Sequence, residues 1–197
     1  MLIDILNSYK IYLASRSPRR HQLLAGMGIA FEYLPVEVEE VYDPTLSPVE
    51  VTEYLSRLKL SPVKRDNYPE KTLFLACDTI VVLHGQIIGK PKDEVEARHF
   101  LRLLSGEEHV VVSGLTVASP KHILTNHEET RVRFKILSED EIDYYVSRYA
   151  PMDKAGAYGI QEWIGYVAIA NVQGSFYNIM GLPTLLLWNM LSNIVCL

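Results

Sequence analysis

Cysteine is almost absent: among 197 residues only Cys77 and Cys196 carry a thiol. Two thiols far apart in the chain and in no metal spacing point to neither a disulfide framework nor a zinc site. A reducing, cytoplasmic setting is therefore expected. No apolar run approaches the roughly 18 to 20 residues that cross a bilayer. The opening "MLIDILNSYK" places Asp4 among its apolar residues and lacks a basic leader, which makes it a poor signal peptide. Positive charge is not in excess either. With 19 Lys and Arg against 24 Asp and Glu the formal net charge is −5, which argues against a nucleic-acid polymer as partner, since that normally needs a basic face. The histidines at 21, 84, 99, 109, 122 and 127 form no i, i+4 pair or other ligand spacing. Ser15, Ser17 and Ser113 lie in no G-x-S-x-G or similar signature, so serine nucleophilic catalysis is not expected. Internal repeats, low-complexity tracts and long linkers are missing too.

What is present is an ordinary globular composition, 48% hydrophobic and 22% charged. The length suits one large domain or two tightly joined lobes. "YKIYLA" (9–14) reads as a buried strand, and Ser17-Pro18 as N-cap and first position of a helix ending near Gly26 or Gly28. "IAFEYLPVEVEE" alternates enough for a second strand. Ser47 and Glu50 form a capping box ahead of the stripe Val51, Tyr54, Leu55 and Leu58. "TLFLACDTIVVL" (72–83) is a continuous apolar and β-branched run, turned by "HGQ" into the short return strand "IIG". Asp93 with Glu96, and Ser138 with Glu141, cap two further helices, and a last helix starts near Pro183. "HVVVSGLTVAS" and "HEETRVRFKIL" predict two antiparallel strands, and "YVAIANVQGSFYNIM" a hairpin turning near Asn171 to Gly174. The pattern is α/β with a mixed, twisted sheet.

Five features stand out chemically. Arg19 and Arg20 fall on the first turn of a helix, where the backbone already carries partial positive charge and cations are disfavoured. Either they face solvent and pair with acids, or an external polyanion fills the helix N-terminus and is met by their forked donors. Asp78 interrupts a buried strand, which requires a partner or a metal unless the strand stops at Ala76. Lys90, in "GKPKD", follows within one hairpin and either reaches the same side of the sheet or is a plain loop residue. "VEVEE" (36–40) ends in acids that are a solvated face or, with Glu40 and Asp78 together, enough for Mg²⁺ with phosphate oxygens. "PMDKAGAYGIQ" (151–161) brackets small residues with Lys154 and Gln161 and reads as a tight turn or a ligand loop.

Together the segments "LASRSPRR", "EVEE", "LSRLK", "CDTIV", "GKPKD", "LSGEEHVV", "PMDKAGAYGIQ" and "GSFYNIMGLP" resemble the Maf family of nucleoside triphosphate pyrophosphatases, in family order over about residues 9 to 190. The resemblance implies a single domain over 1–197 with two α/β lobes around a central cleft, similar to inosine triphosphatase-like house-cleaning enzymes. It implies hydrolysis of NTP to NMP and pyrophosphate with a divalent cation, Mg²⁺ or Mn²⁺, held by Glu40 and Asp78. Asp78 would be the proton acceptor, with Lys90 and Glu40 beside it in catalysis. Ser17, Arg19, Arg20, Lys59 and Lys154 would bind substrate. Arg19, Thr79 and Gln161 match the branch that hydrolyses dTTP and UTP, with modified pyrimidine nucleotides as further substrates. A homodimer is implied only by this resemblance. A different class of reading is a non-hydrolysing nucleotide-binding regulator linked to cell division, which needs the cations but not Asp78 and Glu40 together. Two departures are Cys77, where Ala or Ser is usual, and Leu60 and Pro62, where the family often continues an alanine-rich helix that fixes Lys59.

Overall fold

The computed structural model describes residues 1–197, and its strands form one mixed sheet of seven. In chain order the regular elements are α1 (Leu2–Leu6), β1 (Lys10–Leu13), α2 (Pro18–Gly26), β2 (Glu32–Tyr33), α3 (Pro48–Leu58), β3 (Thr72–Leu83), β4 (Gln86–Ile88), α4 (Glu94–Leu104), β5 (Glu108–Ala118), β6 (Ile123–Phe134), α5 (Glu139–Tyr149), α6 (Trp163–Val167), β7 (Ile169–Gln173), α7 (Phe176–Ile179) and α8 (Thr184–Ile194). The strand order is β2-β1-β3-β5-β6-β7, with β4 paired to β3. The expected mixed α/β class is what the chain adopts. Two compact units emerge. The first comprises Met1–Asp78, Ser113–Glu128 and Gly181–Leu197, the second Thr79–Val112 and Glu129–Met180. No helix is long and apolar enough to cross a membrane.

The first unit is built on the period-two alternation of strands. Leu73, Leu75 and Cys77 of β3 join one buried cluster with Ile11, Leu13, Leu115 and Val117, covered by Leu24 of α2 and by Leu187 and Leu191 of α8. The intervening Phe74 and Ala76 join a second cluster with Ala14, Ala118 and Leu60. A strand buried on both faces reads as an unbroken apolar run, because successive side chains point to opposite sides. The same alternation puts Asp78 on the face of Phe74 and Ala76, and β3 does not stop before it. β1 runs parallel to both β2 and β3.

α3 lies unusually close to β5. Its Thr52 and Ser56 are fully buried, and Ser56 Oγ is 2.7 Å from Thr116 Oγ1. A Cβ on Gly114 would lie 2.2 Å from Thr52 O, so only glycine lets the helix backbone sit there. The capping box of Ser47 and Glu50, with Pro48 in the first turn, fixes where the helix begins. Its far end carries Lys59 as the C-cap.

In the second unit β3 turns into β4 through His84 and Gly85, whose φ values of 49° and 80° suit the turn favoured by two-residue hairpins. Asp93 and Ser138 cap α4 and α5 as their sequences indicate. The two helices bury Ala97, Leu101 and Leu104, and Ile142, Tyr145 and Val146. Arg98–Asp143 and Arg102–Glu139 ion pairs, at 2.7 and 2.6 Å, join their outer sides.

Two expectations give way here. "IAFEYLPVEVEE" pairs with β1 only at Glu32 and Tyr33; Pro35 offers no N–H to a ladder, and residues 34–43 follow irregularly. "YVAIANVQGSFYNIM" is no hairpin: β7 pairs with β6, and after Gly174 the Ser175 hydroxyl caps the short α7. Asn178 of α7 donates to Val111 O at 3.1 Å and to Thr130 Oγ1 at 3.0 Å. These buried bonds to partners distant in the chain override the local alternation.

Candidate active site

Lys59 reaches from the end of α3 into a group of oxygens. Its Nζ donates to the Asp78 carboxylate and, at 3.2 Å, to Cys77 O, and Glu40 Oε1 lies 3.3 Å away. The Lys59 and Asp78 side chains are 12% and 11% exposed, whereas Glu40 is half exposed on the irregular stretch after β2. An acid inside a core strand is tolerated because an ammonium meets it directly. Glu40 and Asp78, expected together as metal ligands, and Lys59, expected as a substrate-binding residue, thus meet within the first unit.

The same trio answers whether a metal fits. No group of three or more His, Cys, Asp and Glu side chains is arranged to hold one. Two carboxylates converging on a single positive point do suit a hard divalent cation that takes its remaining ligands from phosphate and water. The donor set therefore fits a cation that arrives with a triphosphate, and does not fit a dedicated protein cage.

At the start of α2, Ser17 occupies the N-cap position in extended conformation, yet its hydroxyl makes no capping bond. Ser15 Oγ accepts instead, from Ser17 N at 3.2 Å and from Arg20 Nη1 at 3.3 Å. Arg20 Nε also donates to Gly181 O at 2.7 Å. Arg20 is therefore anchored by oxygens of Gly181 and Ser15, partners that the sequence pattern does not indicate. Arg19 is half-buried on a first turn that contains no acidic residue.

The remaining candidates belong to the second unit. Thr79 is half-buried on β3, and Lys90 is exposed after β4. Gly156 N donates to Gly89 O at 3.0 Å, which joins the "DKAGAYGIQ" loop to the "GKPKD" segment. Lys154 is buried between Asp153 Oδ1 at 2.7 Å and Glu162 Oε1 at 3.1 Å. Gln161 Oε1 is buried without a hydrogen-bond partner, an uncommon state for a polar atom. Tyr145, fully buried on α5, donates its hydroxyl proton to Glu162 Oε2 and accepts from Gly159 N at 3.0 Å. Burial, and after it the Glu162 carboxylate, raises that hydroxyl well above its ordinary pKa. In the sequence Tyr145 is one member of the apolar stripe Ile142, Tyr145, Val146 and Tyr149, and Glu162 carries no mark. A separate cavity of about 510 Å³ in the first unit, bordered by Val36, Glu37, Lys64 and Tyr68, is lined by none of the expected site residues.

Comparison with known proteins adds an independent line. Residues 10–194 match one family model, described as Maf-like protein. A protein of Porphyromonas gingivalis named dTTP/UTP pyrophosphatase is 46% identical over 194 residues, 98% of each chain. Proteins with the same name from Bacteroides thetaiotaomicron and Flavobacterium johnsoniae are 45% and 40% identical. They cover 92% and 99% of this chain and 94% and 100% of their own. Among solved structures, that of the Staphylococcus aureus Ham1 protein overlaps with a TM-score of 0.42 at 12% identity, covering 64% of this chain and 71% of that one. That overlap is too slight to argue from.

Proposed function

The chain belongs to the Maf family, and we propose that it hydrolyses nucleoside triphosphates to the monophosphate and pyrophosphate, with dTTP and UTP preferred. The observation that carries this reading is the buried Asp78 carboxylate, held by Lys59 beside Glu40. A protein that merely binds nucleotides needs cations for the phosphates but not Asp78 and Glu40 together. The names of the relatives support the pyrimidine preference. Modified pyrimidine nucleotides carry the same triphosphate, and a house-cleaning role would follow from their hydrolysis.

Asp78 orients a water toward the α-phosphorus and takes its proton. The new P–O bond forms as the α–β anhydride bond breaks, and pyrophosphate departs with the bridging oxygen. Arg19, Arg20 and Lys90 neutralise the leaving charge, and Ser17 presents the start of α2 to a phosphate. Arg20, fixed in advance by Gly181 O and Ser15, loses little freedom when an anion arrives. Glu40 and Asp78 would hold a divalent cation, Mg²⁺ or Mn²⁺, which would supply further charge neutralisation on the triphosphate. Lys154, neutralised by Asp153 and Glu162, serves the base-reading loop, while Thr79, Gln161 and Arg19 select the nucleotide.

A pyrophosphate-release screen over natural and modified nucleoside triphosphates, each with Mg²⁺ and with Mn²⁺, tests the reading. Release is expected fastest with dTTP and UTP. No release with any nucleotide refutes the activity, and a preference for purines refutes the substrate assignment.

A further inference from the structure

We propose that Tyr145 is a positioning residue for nucleobase selection, acting through Gly159 and Glu162 to fix the Gln161 side chain. The proposal rests on the reading of Gln161 as a contact to the base. One phenolic oxygen engages both residues that bracket Ile160 and Gln161: it accepts from Gly159 N at 3.0 Å and donates to Glu162 Oε2. The other Glu162 oxygen receives Lys154 at 3.1 Å, so the charge network closes around the same loop. The phenol cannot drift, because its ring is fully buried and stacked on Tyr149 with centroids 5.1 Å apart.

Gly159 adds a second constraint. A Cβ there would lie 2.9 Å from Glu162 Cδ and 3.1 Å from Gln161 Nε2, so both side chains fold back over bare backbone. Held in this way, Gln161 keeps its Oε1 buried and unpartnered. That oxygen is an acceptor without a donor, closed off from solvent as the protein stands, and on this reading a base that enters the loop supplies the donor. Uracil and thymine present an N3–H, whereas cytosine presents a bare N3 acceptor at the same place. A fixed carbonyl oxygen therefore favours the first two and leaves two acceptors facing each other with the third.

The test compares kcat and KM for UTP and CTP in the wild type, Tyr145→Phe and Gly159→Ala, with Ile142→Ala as a control that truncates a buried α5 side chain and keeps the Tyr145 hydroxyl. Tyr145→Phe is expected to raise KM for UTP with kcat within about twofold, and to lower the UTP-to-CTP ratio of kcat/KM about tenfold. Gly159→Ala is expected to lower the same ratio, and Ile142→Ala to leave it unchanged. An unchanged ratio in both loop variants overturns the proposal. So does an equal loss for both nucleotides in Tyr145→Phe, which would make the tyrosine merely structural. A wild type that does not prefer UTP overturns the reading of Gln161 itself, and the proposal with it.

Discussion

His109 gives the fold an acid-sensitive point whose size follows from its surroundings. It lies on β5 and is 1% exposed. Its Nε2 is 2.8 Å from Tyr158 Oη, Phe134 and Tyr158 present their rings at 5.1 and 5.4 Å, and its Nδ1 has no partner. Desolvation in this aromatic setting disfavours the imidazolium and lowers the pKa to about 4. In the unfolded chain the ring titrates at about 6.5. Above that pH both states are neutral, and His109 adds no pH dependence. Below it the unfolded chain takes up a proton that the native protein refuses, so stability falls as the pH falls. The loss reaches about 2 kcal/mol at pH 5 and levels at about 3 kcal/mol below pH 4. Urea unfolding of the wild type and of His109→Gln, from pH 7.5 to 4, isolates this contribution. The glutamine variant starts less stable but declines less steeply, so the gap between the two narrows by about 2 kcal/mol between pH 7.5 and 5. Parallel curves would refute the reasoning, because they would mean that His109 takes up its proton equally in both states.

Three further outcomes follow from the candidate site. Asp78→Asn should lower kcat about 10²- to 10⁴-fold with unchanged circular dichroism, and retained turnover removes Asp78 from its role. Gly114→Ala should destabilise the protein by about 1–3 kcal/mol, since the new methyl meets Thr52 and Glu53 backbone that cannot step aside. It should also reduce turnover by shifting α3 and with it Lys59; full activity in a destabilised protein would separate the helix packing from the lysine's placement. Chelation with EDTA should stop pyrophosphate release, and Mg²⁺ or Mn²⁺ should restore it, without moving the melting temperature, because Lys59 already joins Glu40 and Asp78. A lower melting temperature on chelation would show a structural metal.

What was legible in the chain depended on how far away each residue's partner lay. Ser47 with Glu50 and Ser138 with Glu141 close their boxes within three residues, so both helix starts could be read directly. The run through β3 was equally plain, and Asp78 stood out in it because a buried charge demands a partner. The partner itself was not derivable from local pattern. Lys59 arrives only because Gly114 lets α3 settle onto β5, a contact between residues some 60 positions apart. The dipole argument for Arg20 foresaw an anion and missed Gly181 O, which lies 161 residues onward. Tyr145 was concealed differently: its ring obeys the apolar stripe, and only the hydroxyl, which no periodicity registers, meets Glu162.

Lys59, mostly withdrawn from solvent, and Lys154, buried, raise a question of charge. Lys59 faces Asp78 and Glu40, and Lys154 faces Asp153 and Glu162, so each ammonium is outnumbered by carboxylates. Groups with surplus negative charge are poor places to receive a triphosphate. In the loop group the surplus is put to structural use, since Glu162 also takes the Tyr145 proton in hydrogen bonding. In the strand group nothing comparable absorbs it: Glu40 remains half exposed and bonded only to the lysine that it shares with Asp78. A metal-free triphosphate would meet repulsion there, and one accompanied by a divalent cation would not. On the proposed reading, the surplus carboxylate would make the nucleotide's metal complex the form received beside Asp78.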